Sequence, residues 1–298
     1  MNITITGATG FIGRRLIERL SAAPHQLHAL VRNTNVKFGD IAVWTTRWDP
    51  MTGTPPPESV INADAIVNLA GEPVAQKWTP EAKIKIRESR VQATRHLVEA
   101  LSRSKNKPAV LVSGSAIGIY GSRGDEVLTE SSAHGQGYLA EVCEAWEKEA
   151  VAAEALGIRV VRIRTGIVLG KNGGALKQML PPFRAFVGGK IGSGKQWMSW
   201  IHLDDLVGII CHALENPISG PVNGTAPNPV TNSQFTAELG RALGRPAVFP
   251  VPGFALHAIF GEMAGMLLEG QRVLPKAAET AGYKFQYPEL GPALLASL

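Results

Sequence analysis

MNITITGATGFIGRRLI, Met1 to Ile17, is the stretch on which the reading of the fold turns. Asn2 to Thr6 alternates polar and β-branched apolar residues, the pattern of a short strand. Gly7, Gly10 and Gly13 follow at G-x-x-G-x-x-G spacing, and Ile12, Leu16, Ile17 and Leu20 then recur at helical spacing. A glycine triplet set between a strand and a helix has a physical use. Gly7 permits a tight turn, and Gly10 lets a pyrophosphate approach the backbone. Gly13 lets the helix pack close to the strand, with its positive end toward the phosphates. The stretch predicts a dinucleotide site, with Phe11 and Ile12 among its contacts.

Outward from there, strands and helices alternate. Gln26 to Val31 reads as a second strand ending at Arg32, Ile41 to Trp44 as a third, and Ala65 to Leu69 as a fourth. The fourth is a nearly continuous apolar run, as a parallel sheet covered on both faces requires. Pro80 to Ser102 has helical periodicity, Ala109 to Ser113 reads as a fifth strand, Tyr138 to Leu156 as a long helix, and Arg159 to Arg164 as a sixth strand. This order predicts an α/β fold, a doubly wound parallel sheet with helices on both faces.

Beyond Gly170 glycines interrupt the run from Lys171 to Trp200. Asp204 or Asp205 is expected to cap a helix through Leu214. Helices then predominate over Thr231–Leu243 and Phe254–Leu268. The division expected is a dinucleotide domain over 1–170, rejoined by 201–222, and a smaller, mainly helical substrate lobe over 171–200 and 223–298.

With 45% hydrophobic and 18% charged residues, the composition is that of a soluble globular protein. Thirty Lys and Arg against twenty-five Asp and Glu leave +5, but the basic residues are dispersed, which argues against nucleic acid as a partner. The run Lys83-Ile-Lys-Ile-Arg87 reads as the solvated side of a helix. Cys143 and Cys211 lack metal spacing and read as small buried hydrophobes in a reducing compartment. The apolar stretch from Val251 to Leu268 is too interrupted to span a membrane and reads as a buried helix. No targeting peptide is legible, so the expectation is a cytoplasmic protein without membrane attachment.

TGATGFIG (6–13), VNLAGE (67–72), SGSAIGIYG (113–121) and SWIHLDDL (199–206) together resemble the extended or atypical short-chain dehydrogenase/reductase superfamily. GGKIGSGKQ (188–196) and the closing lobe resemble its branch called epimerase family proteins. The resemblance spans essentially the whole chain. It implies a Rossmann domain with a C-terminal substrate lobe, a small carbonyl or hydroxyl substrate, and a homodimer through the helices 80–102 and 138–156.

Arg32 stands where an acidic residue would bind the ribose 2′-hydroxyl of NAD(H), and a guanidinium suits a 2′-phosphate instead. The expected cofactor is therefore NADP(H) in preference to NAD(H). The resemblance places Asp49 near the adenine amine, although it can equally cap the turn before Pro50. It places the backbone of Asn68, Leu69, Ala70 and Gly71 along the middle of the cofactor, and that of Val168 at the nicotinamide. Ser115 is expected to orient the substrate oxygen and Tyr138 to donate or accept its proton. Glu72, Trp78, Gln196 and Trp200 are candidate substrate contacts. No metal site is expected.

One departure from the family's pattern matters for chemistry. Active relatives carry Tyr-x-x-x-Lys, which puts both side chains on one helix face and lowers the tyrosine's pKa. Here Val142 stands four residues after Tyr138. Arg90, on the preceding helix, is the expected replacement cation and a cofactor contact. Its role would be electrostatic, because arginine does not give up its proton near neutral pH. Two function classes follow: an NADP(H)-dependent oxidoreductase or epimerase, and a non-catalytic NADP(H)-binding sensor or scaffold, to which Val142 points.

Overall fold

The computed structural model describes residues 1–171 and 173–298. Its centre is a seven-stranded sheet of β1 (Asn2–Thr6), β2 (Gln26–Val31), β3 (Trp44–Arg47), β4 (Ala65–Asn68), β5 (Val110–Ala116), β6 (Arg159–Thr165) and β7 (Gly220–Gly224). The order is β7-β6-β5-β4-β1-β2-β3, and every pairing is parallel. The chain winds outward from β1 to β3, then restarts at β4 on the other side of β1. The carboxyl ends of β1 and β4 thus flank a topological switch point, where a crevice opens in such sheets.

Hydrophobic burial on both faces holds the sheet. Helices α1 (Phe11–Leu20) and α5 (Leu203–Glu215) bring Leu16, Ile17, Leu206 and Ile210 against Ile3, Ile5 and Val67. Helices α2 (Pro80–Arg103) and α3 (Tyr138–Val151) cover the opposite face, where Leu97 and Leu101 of α2 and Ala150 of α3 meet Ile66, Leu111 and Val160. Each such leucine or isoleucine contributes about 1.5–3 kcal/mol. Thr79 caps α2 by accepting the Ala82 amide, and Pro80 opens it where no amide is needed.

The rest of the chain builds a second core. Leu176 and Phe183 of α4 (Gly174–Arg184) pack with Met198, Trp200, Leu290, Leu294 and Phe235 of α6 (Asn232–Leu243). A capping box of Thr231 and Gln234 starts α6. Buried Asp205 ties the end of the chain to α5, accepting the Tyr283 hydroxyl and the Gln286 and Tyr287 amides.

Several expected elements differ. The third strand is Trp44–Arg47 rather than Ile41–Trp44: Thr45 to Arg47 continue the ladder with Ala29 to Val31 at the sheet edge. The fourth strand ends at Asn68, the fifth runs on to Ala116, and α3 tightens into a 3-10 turn over Ala152–Leu156. Neither Asp204 nor Asp205 caps α5; His202 does, its Nδ1 accepting the Asp204 amide at 3.1 Å. The stretch 251–268 is not one buried helix. It breaks into α7 (Gly253–Phe260), a 3-10 turn (Gly261–Met263) and α8 (Ala264–Leu268), because Gly261 takes a left-handed φ of +59°. Phe254 and Ile259 lie exposed on it.

Candidate functional site

The glycine turn is built by backbone contact. Gly7 has φ +66°, and a Cβ there would lie 2.5 Å from the Leu69 carbonyl. A Cβ on Gly13 would lie 2.3 Å from the Gly7 oxygen, so helix and strand meet at a separation that only glycine allows. Gly10 donates to the Gly7 oxygen and leads into α1, which has no capping side chain and no carboxylate in its first turn. The amides of Phe11, Ile12 and Gly13 are therefore left to a ligand or to water. The Phe11 ring packs against the backbone of Gly170, Gly173 and Gly174, just beyond Val168.

A chain of hydroxyls and amides sets the second wall. Thr6 Oγ1 donates to Asn68 Oδ1 at 2.6 Å and accepts the amides of Leu69 and Ala70. Asn68 Nδ2 and the Trp146 indole both donate to Thr94 Oγ1 at 2.9 Å. The bend at Leu69–Gly71 is thus fixed from β1, α2 and α3 together. Thr6, Thr94 and Trp146 carry no motif, and the sequence reading missed them. The residues suit a diphosphate: the uncapped start of α1 offers its first amides and its positive end beside the glycine turn.

Arg90 lies against the Leu69–Gly71 bend. Its guanidinium lies over the Trp146 ring at 5.3 Å and beneath Gly71, where a Cβ would come within 3.1–3.4 Å of it. Nη1 donates to the Ile86 oxygen, and no carboxylate of a described residue comes within ion-pair distance. Burial pulls the Arg90 pKa below the usual arginine value. The guanidinium still carries its charge at neutral pH.

Tyr138 opens α3 after Gly137, which has φ +100°. Its hydroxyl donates to the Lys83 carbonyl at 2.6 Å, and the Trp78 ring meets its ring edge-on at 5.2 Å. Burial raises the Tyr138 pKa, while Arg90 and Arg87 pull it the other way. Tyr138 is therefore a phenol at neutral pH. Val142 is buried. The cations near the phenol come from α2: Lys83 Nζ sits 4.9 Å from the ring centre, and Lys83, Arg87 and Arg90 stand at i, i+4 and i+7. The run beginning at Lys83 is thus not simply a solvated side. The spacing of its cations was the signal available in the sequence.

Other expected residues fall elsewhere. Ser115 does not point into the cleft: its hydroxyl donates to buried Glu147 at 2.7 Å. Glu147 also accepts two bonds from Arg164 and one from Arg162, and Arg164 reaches the Tyr120 hydroxyl. The strand alternation that aligns Ser115 with Arg164 turns both toward α3. Trp200 is fully buried in the second core with its indole on the Asn228 carbonyl, so it is not a pocket wall. Gln196 ties the Ile191 and Leu267 carbonyls together. Glu72 lies near Arg90, its amide held by Ser89. Asp49 accepts the Met51 amide, the turn-capping use. Arg32 is exposed at the end of β2. Burial pushes the Cys143 thiol up to about 12 and that of Cys211 up to about 11, so both stay neutral.

A parallel sheet with its glycine turn at the switch point defines a Rossmann-type nucleotide-binding protein. Residues 3–226 match the NAD dependent epimerase/dehydratase family, and the chain belongs to that family. Residues 251–296 match a domain of unknown function, DUF1731. The chain is 44% identical to the Arabidopsis thaliana "Epimerase family protein SDR39U1 homolog, chloroplastic", over 99% of this chain and 86% of that one. It is 41% identical to the Bacillus subtilis epimerase family protein YfhF, over 99% and 97%. The crystal structure of human epimerase family protein SDR39U1 with NADPH superposes with a TM-score of 0.88 at 35% identity, covering 100% of this chain and 99% of that one. Bacillus cereus UDP-glucuronic acid 4-epimerase shares the fold alone, at 18% identity and TM-score 0.80. Among the described residues no helix is long and apolar enough to cross a membrane.

Proposed function

We propose that the protein is an NADP(H)-dependent reductase of small carbonyl compounds, in which Arg90 replaces the missing lysine. The observation that carries this is the Arg90 guanidinium, held between Gly71 and Trp146 without a carboxylate partner, beside a tyrosine that is a phenol at neutral pH. A part-buried cation with Glu72 near it but no carboxylate at ion-pair distance is costly unless something anionic arrives to meet it. Arg32, at the end of β2, supports the preference for a 2′-phosphate. So does the likeness to a relative solved with NADPH.

A reduced nicotinamide held by the glycine turn and the Leu69–Gly71 bend would supply the hydride for a carbonyl carbon. Tyr138 gives its phenolic proton to the carbonyl oxygen, which completes the alcohol. Arg90 and Arg87 stabilise the phenolate left behind. To do this the hydroxyl must leave the Lys83 carbonyl, so substrate binding and the release of that bond are coupled. Ser115 takes no part. A phenol at neutral pH carries the proton that reduction of a carbonyl oxygen consumes, and Arg90 and Arg87 offset the burial that would otherwise hold that proton back.

The test is NADPH oxidation with a panel of aldehydes and ketones. The native protein is expected to turn over at least one of them, and Tyr138→Phe to lower kcat by about 100-fold or more with NADPH affinity retained. Binding without turnover across the panel, together with indifference to Tyr138→Phe, would instead identify a non-catalytic binder.

A further inference from the structure

Lys83 and Glu262 form a pair whose position says something about the substrate. Lys83 belongs to α2, and Glu262 belongs to the turn between α7 and α8, far along the chain. The two meet at 2.5 Å directly beside Tyr138, with the ammonium 4.9 Å from the phenol ring centre. The Glu262 side chain is 66% exposed, and an ion pair so open to water contributes little to stability. The segment that presents it is lightly anchored: over Gly253–Leu268 only Leu256, Met263 and Ala264 are buried. The contact is therefore poorly explained as a support of the fold. The surroundings are cationic: Lys83, Arg87 and Arg90 line one side of α2, Arg87 answers Glu88 and Arg90 answers no carboxylate.

We infer that the substrate of this site carries a carboxylate beside its carbonyl, and that the Glu262 side chain holds the carboxylate's place on Lys83 in the free protein. The inference rests on the reductase reading, which supplies the carbonyl. With the Lys83 ammonium 4.9 Å from the phenol ring centre, a carboxylate seated on it lies beside Tyr138, close enough for the carbonyl of a 2-oxo or similarly short oxo acid. Glu262 then sets selectivity: it competes with acids for Lys83 and leaves neutral carbonyl compounds untouched. Because the open pair contributes little, displacing it costs a solute acid little.

The test compares phenylglyoxylate with its methyl ester, which differ in charge at one end. Binding to the NADP-loaded full chain is followed by tryptophan fluorescence, since Trp78 lies against Tyr138. The acid is expected to bind more tightly than the ester. Glu262→Gln is expected to tighten the acid by about fivefold and shift the ester by less than about twofold. Lys83→Met is expected to erase the preference for the acid. Equal affinity of acid and ester, an equal shift of both in Glu262→Gln, or no binding of the acid at tens of millimolar would each overturn the inference. A retained preference for the acid without NADPH turnover of any carbonyl compound would defeat the reductase reading and leave the carboxylate site standing.

Discussion

Two charged clusters pack against helix α3, one around its own Glu147 and one of cations from α2, and they are built in opposite ways. Toward the end, Glu147 is 3% exposed and Arg164 2%, and each has its hydrogen-bonding atoms occupied by the other and by Ser115, Arg162 and Tyr120. Burial works against the Arg164 charge, and Glu147 more than offsets it, so that guanidinium sits above the usual arginine pKa. On α2, Arg90 has one carbonyl and one ring face and a pKa pulled down by burial. The first cluster is closed on itself; the second is not, and on the proposed reading it meets a charge from outside. Compensation, more than the identity of the residues, separates the structural arginine from the one proposed to meet a ligand.

The largest effect is expected where the closed cluster is opened. Glu147→Leu leaves Arg164 buried without its anion and should cost about 3–5 kcal/mol in urea denaturation. An unchanged midpoint would break the distinction between the clusters. If Arg32 holds the 2′-phosphate as proposed, Arg32→Ala should weaken NADPH by about tenfold and leave NADH within about twofold. Calorimetric titration of the two nucleotides checks this. Ser115→Ala removes one hydrogen bond to a carboxylate that keeps its arginines, so about 1–2 kcal/mol of stability should go and turnover should stay. A turnover loss without a stability loss would return Ser115 to the cleft.

The smallest expected effect is in pH. Burial lowers the His202 pKa below its ordinary 6.5, against the pull of Asp204 and Asp205. The unfolded chain therefore binds this proton more readily than the folded one. The neutral cap's contribution is fully present above about pH 6.5 and is lost as pH falls below it. Melting curves from about pH 7.5 down to about 5.5 should show this loss in the native protein and less of it in His202→Asn, whose side chain caps without titrating.

Legibility in the sequence follows how local each feature is. The strand, Gly7, Gly10, Gly13 and α1 could be read because their geometry is settled within seventeen residues. The doubly wound sheet followed from apolar runs separated by helical periods. What escaped depends on distant partners. Ser115 sits on a recognisable motif, yet its orientation is fixed by Glu147, thirty-two residues on. Trp200 looked like a pocket wall until the second core closed around it. The break at Gly261 needed one left-handed residue, which hydrophobic periodicity does not reveal. Arg90 could be picked out from the missing lysine at Val142, whereas its seat between Gly71 and Trp146 brings together three segments.

The claim that the open cluster is the working end of a dinucleotide site is tested most directly by calorimetric titration of NADPH into the native protein and into Arg90→Met, at temperatures where both are folded. Saturable binding by the native protein, weakened about tenfold or more by the substitution while the melting temperature stays close to native, is the expected result. Equal affinity in the two proteins would contradict the account.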